Sequence, residues 1–179
     1  MTSESFNPHW ECLLEEASTS RGRNRLFPHL NRKRPMAEPE GWSKRRALAA
    51  LAIREVPFTE DPRSSYGYSG GLEFAINPRA PRPLHTLIHE LGHICLGHTL
   101  VRHDQEFTED SPLREYSADG VAYIFMHELD VESQMDVPHV QYLMRNRLAG
   151  RTPSDDLKQR IYEATKTIIE AGRPKAVYE

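Results

Sequence analysis

Five consecutive residues, His89-Glu90-Leu91-Gly92-His93, carry the clearest chemistry in the chain. On a helix, residues four apart differ by about 40° in azimuth and about 6 Å along the axis. Both imidazoles therefore leave one face, where they can ligate a single zinc ion. Glu90 stands beside them, placed to reach a water on that ion rather than the ion itself. In a chain of this composition the bare pattern arises by chance about 0.04 times.

A catalytic zinc site needs a third protein ligand and an open position. His98, His103 and a downstream carboxylate are the candidates. His98 lies nine residues after His89, about half a turn out of phase if the helix continues, although Gly97 can break it. The spacing Leu96-Gly97-His98 is one residue out from the elongated metzincin motif. Glu115 is the better candidate, in Glu115-Tyr116-Ser117-Ala118-Asp119. Glu115 and Asp119 are four apart near a helix start and share a face. One can bind the metal while the other accepts the free N–H of a ligating imidazole, fixing its tautomer. Ala118 and Ala122 are small enough to let two helices approach closely.

The elements that must position these groups can be read from periodicity and caps. Residues 6–17 read as a short helix and residues 20–42 as a loop or arm. Ser43 caps a helix expected to run through Arg54, stopped by Pro57 at the latest. Two extended segments, around Tyr66–Tyr68 and Leu72–Ile76, flank Ser69-Gly70-Gly71 and suggest a hairpin. Pro83 suits the first turn of the helix holding the histidines, expected to reach Leu96, with Leu84, Leu87, Ile88, Leu91, Ile94 and Cys95 as its buried stripe. An acidic loop spans His103–Asp110. Ser111-Pro112 is expected to cap a helix from Leu113 to about Leu129. Further helices are expected from Asp136 to near Gly150 and from Ser154 to Gly172. The last should pack through Leu157, Ile161, Ala164, Ile168 and Ile169.

The chain has 179 residues and a net charge of −3. That length suits one well-buried core, and two lone cysteines, Cys12 and Cys95, exclude a disulfide framework. No run of apolar residues is long enough to cross a membrane, and the start lacks the pattern of a secretory signal, so a cytoplasmic protein is expected. Charge is uneven: Arg21–Arg46 has a local balance of +7 and Arg102–Asp136 of −8. The first stretch reads as a solvated arm, since its Lys and Arg are not interleaved with stacking aromatics.

The run from Leu72 to Asp130 resembles the zincin domain of the ImmA/IrrE family and its ArdC-like antirestriction relatives. The matching features are an extended segment with Asn77-Pro78, then Thr86-Leu87-Ile88-His89-Glu90-Leu91-Gly92-His93, Leu96-Gly97-His98, and Glu115-x-x-Ala118-Asp119-x-x-Ala122. The tail from Asp136 to Gly172 is similar to the two closing helices of ArdC-like catalytic domains, so the likeness covers about residues 56–172. It implies that His89, His93 and Glu115 ligate zinc and that Glu90 is catalytic. Relatives commonly carry a nucleic-acid-binding module, but residues 1–55 match none, so DNA binding is not carried over.

The expected fold is α+β: a helix-dominated, zincin-like metallopeptidase domain over residues 56–179, with an active-site helix and a small, mostly antiparallel sheet. Residues 1–55 add an N-terminal helix and basic arm. The expected activity is zinc-dependent cleavage of a specific intracellular protein, such as a regulator in a mobile-element or antirestriction setting. Glu90 would take a proton from water and deliver it to the leaving amine. Tyr66, Tyr68, Tyr116, His98 and His103 are open candidates for an oxyanion donor, and the edge of segment 72–76 for pairing with substrate. The alternative is a non-catalytic zincin scaffold whose basic arm contacts nucleic acid or a protein partner. A deformylase-like zinc hydrolase lacks its upstream motifs here.

Overall fold

The computed structural model describes residues 8–19, 36–100 and 110–174. Of the arm expected over 20–42, residues 20–35 lie outside the described residues, as do residues 101–109, which include His103 and all of the expected acidic loop but Asp110. The described residues form six α-helices and a three-stranded sheet on which α3 packs: α1 (Pro8–Thr19), α2 (Lys44–Leu51), β1 (Arg54–Glu55), β2 (Gly67–Gly70), β3 (Glu73–Ile76), α3 (Pro83–Cys95), α4 (Ser111–Glu128), α5 (Val137–Leu148) and α6 (Asp155–Gly172). A short 3₁₀ turn, Glu132–Gln134, precedes α5. Among the described residues no helix is long and apolar enough to cross a membrane.

The sheet is mixed rather than mostly antiparallel. Its order is β1-β3-β2, with β2 antiparallel to β3 (Gly67 opposite Ile76, Gly70 opposite Glu73) and β1 parallel to β3. The strand β1 arises because α2 ends early. Ala52 adopts a left-handed conformation at φ 54° and turns the chain, so Arg54, expected inside the helix, pairs with β3 instead. Segment 72–76 is consequently the central strand and not an edge. The edge belongs to β2.

Side-chain caps open α4, α5 and α6, whereas Ser43 stands at the N-cap of α2 and makes no side-chain cap bond there. Asp110, not Ser111, caps α4: its carboxylate accepts from the Leu113 N–H at 3.0 Å, and Ser111 is already helical. Asp136 and Ser154 accept in the same way at the starts of α5 and α6.

Packing brings α3 and α4 together at the centre. Leu84, Leu87, Ile88 and Leu91 of α3 are fully buried, each contributing about 1.5–3 kcal/mol by leaving water. The residues of α4 from Tyr116 to Met126 are buried all round, as a central helix requires. The two helices approach closely at Gly92, where a Cβ would lie 3.3 Å from Val121 Cβ and 3.4 Å from Ala118 Cα. Leu157, Ile161, Ala164, Ile168 and Ile169 of α6 are buried against the same core. Leu13, Leu14 and Ala17 of α1 and Ala47 of α2 join it too. Trp42 packs edge-on to Phe125 and donates from Nε1 to the Ile168 carbonyl at 3.0 Å.

Candidate metal centre

Helix α3 runs past the face of β2 and presents His89 and His93 toward the first turns of α4, which carry Glu115. The two Nε2 atoms lie 3.1 Å apart. Glu115 Oε2 is 3.6 Å from His89 Nε2, and its Oε1 is 3.4 Å from His93 Nε2. All three ligand atoms fall within 4.8 Å of one another, so this group can hold a metal ion. Two imidazole nitrogens and one carboxylate oxygen form a donor set that suits a divalent transition metal.

Each imidazole spends its second nitrogen outside that point. His89 Nδ1 lies 2.9 Å from Asp119 Oδ1, and Asp119 is 2% exposed, so the imidazole has a fixed anionic acceptor. His93 Nδ1 lies 3.0 Å from His98 Nδ1. His98 therefore sits on the far side of His93 from the point the three ligand atoms share.

A cation that the sequence reading did not single out braces both carboxylates. Arg147 of α5 pairs with Asp119 Oδ2, contacts Glu115 Oε2 at 3.2 Å and donates to the Glu115 carbonyl at 3.0 Å. Its signal was available in periodicity. Val140, Met144, Arg147 and Leu148 fall at i, i+4, i+7 and i+8, so this arginine occupies a position on the inward stripe of α5. Without it, two carboxylates one helical turn apart would repel. The hydrogen bond to His93, with the nearby His89, His93 and Arg147, holds the Glu115 carboxyl down at about 2 despite partial burial. The His89 imidazole is lowered as well, here by burial, which favours its neutral form, the form that can ligate.

Glu90 points to the opposite wall. It is 6% exposed, and its Oε2 accepts from Ser69 Oγ of β2 at 2.7 Å. Gly67, two residues earlier on the same face of β2, lies so close that a Cβ there would meet Thr86 Cγ2 at 2.8 Å and Glu90 Oε1 at 3.0 Å. An open cleft of about 620 Å³ runs between β2 and the start of α4, with Ser69, His89, Glu90, His93 and Glu115 in its lining. The outer edge of β2, which pairs with no other strand among the described residues, borders it.

The expected oxyanion donors fare differently. Tyr116 is wholly buried with its hydroxyl 2.9 Å from Ser18 Oγ, away from the cleft. Tyr66 is exposed and does not line the cleft. Tyr68 lines it, but its hydroxyl donates to the Pro57 carbonyl at 3.2 Å. His98 is in the lining and bonded to His93. Cys95 is only partly buried against the core, and that burial raises its thiol to about 11.

Comparison of this chain with protein-family models, with curated proteins and with solved structures finds no match.

Proposed function

We propose that this chain is a zinc-dependent endopeptidase of the zincin kind, similar to the ImmA/IrrE and ArdC-like domains, acting on a protein or peptide substrate. The observation that carries the reading is the convergence of His89, His93 and Glu115 with the Glu90 carboxylate beside them on one open cleft. His89, His93 and Glu115 would hold the zinc, leaving a position for solvent or substrate. When bound, zinc supplies Lewis acidity for the scissile carbonyl and the attacking water.

The remaining work falls to the chain's own side chains. Glu90 takes the proton of the attacking water on a carboxylate oxygen and returns it to the leaving amine nitrogen. The Ser69 hydroxyl, donating to Glu90 Oε2, holds the carboxylate in orientation. Asp119 and Arg147 keep the His89 ring and the Glu115 carboxylate oriented. The outer edge of β2 offers backbone groups to an extended peptide, which would add as a further strand.

The test pairs metal content with chemistry. Purified protein should carry about one zinc, and Glu90→Gln should keep it while cutting peptide-library cleavage, read by mass spectrometry, by roughly 10²–10⁴-fold. Cleavage by Glu90→Gln at the parental rate would remove the proposed mechanism.

A further inference from the structure

We infer that His98 is a positioning residue that fixes the tautomer and ring orientation of His93, resting on the metal-site reading above. The end of α3 supplies the geometry. Gly97 takes φ +77°, the left-handed conformation that ends helices at low steric cost. The Gly97 N–H donates to the Ile94 carbonyl at 3.0 Å, and the His98 N–H to the His93 carbonyl at 2.9 Å. These two bonds define a Schellman turn, with His93 as its C3 residue and His98 as C″.

The side chains at those two positions usually make an apolar contact. Here both are imidazoles, and their Nδ1 atoms lie 3.0 Å apart. A straight helix would carry His98 about 140° around the axis from His93. The reversal at Gly97 returns it to the same turn, so the backbone motif that ends α3 also delivers the side-chain partner.

Chemistry then sets the direction of the bond. With Nε2 of His93 facing His89 and Glu115, the ligating form of His93 carries its proton on Nδ1. His98 Nδ1 must be the acceptor. The arrangement mirrors Asp119 on His89, so each ligand imidazole has its own acceptor, one anionic from α4 and one neutral from the turn after α3. His98 therefore acts through His93 and is not itself a ligand.

The experiment titrates the full-length chain with zinc against a chromogenic chelator, for wild type, His98→Asn and His98→Leu, and records the melting temperature of each metal-free protein. Leucine restores the ordinary apolar contact of the turn without an acceptor; asparagine keeps an acceptor near the Nδ1 position. The expected result is a roughly 10–100-fold loss of zinc affinity in His98→Leu with an unchanged or higher melting temperature, and recovery of most of that loss in His98→Asn. Zinc binding by His98→Leu at wild-type strength overturns the inference and leaves the metal site standing. Equal weakening in both variants, with lowered melting temperatures, overturns it in favour of a packing role. A wild-type chain that binds no zinc removes the metal site itself, and the inference with it.

Discussion

Asp119→Asn separates the support of the site from its chemistry. The native carboxylate is almost wholly buried and accepts from two sides: Oδ1 from His89 Nδ1, and Oδ2 from Arg147. An amide offers one acceptor and one donor in the same volume, so whichever way it is turned, its NH₂ meets a donor. Breaking one partner of a buried ion pair costs about 3–5 kcal/mol. Arg147 keeps Glu115 as a second anion and is itself partly exposed, which lowers the cost here to about 2 kcal/mol. For a chain of this size that corresponds to a fall in melting temperature of roughly 4–8 °C in the metal-free protein. Zinc affinity should drop separately by roughly 10–100-fold, because the His89 ring loses its fixed acceptor or turns to find another. Calorimetry on the metal-free protein and chelator competition measure the two effects independently. A variant with parental melting temperature and parental affinity would show that Asp119 supports neither the fold nor the ring.

Three further outcomes follow from the same geometry. Gly67→Ala should press a methyl against Thr86 Cγ2 at 2.8 Å and Glu90 Oε1 at 3.0 Å and so displace Glu90, lowering kcat by about tenfold or more while zinc affinity stays near parental, measured by steady-state kinetics and metal titration. Gly172→Ala should drive a methyl into the Trp42 indole and cost about 1–3 kcal/mol or more, seen as a lower denaturation midpoint with a blunted change in tryptophan fluorescence. Burial, with His89 and Arg82 nearby, lowers the His85 imidazole to about 3 from an ordinary 6.5, so it stays neutral in the fold. The unfolded chain binds the extra proton between those values, so His85 contributes stability above pH 6.5 that is lost as pH falls toward about 3, at up to about 1.4 kcal/mol per pH unit. His85→Phe should flatten that part of the curve in chemical denaturation of the metal-free protein; an unchanged slope would mean His85 does not titrate there.

Much of the candidate site was legible because its parts are local. His89, Glu90 and His93 share one helical turn, and Glu115 and Asp119 another, so spacing alone places each pair on one face. The caps at Asp136 and Ser154 and the packing face of α6 were legible for the same reason: each depends on residues within a turn or two of one another. The early end of α2 was not, because the left-handed Ala52 and the pairing of Arg54 with Glu73 reflect a partner strand that lies 19 residues on.

What only the tertiary structure decided are the contacts between elements. Ser69 meets Glu90 across 21 residues and Arg147 meets Asp119 across 28, and no periodicity encodes either distance. Which strand offers an outer edge likewise depends on where β1 docks, and that placed β3 in the middle and left β2 beside the cleft. Sequence by itself determined the donor types and their helical faces, since backbone geometry fixes directions within an element. Packing determined which faces meet, since the close approach of α3 to α4 where Gly92 meets Ala118 and Val121 sets the separation at which His89, His93 and Glu115 converge.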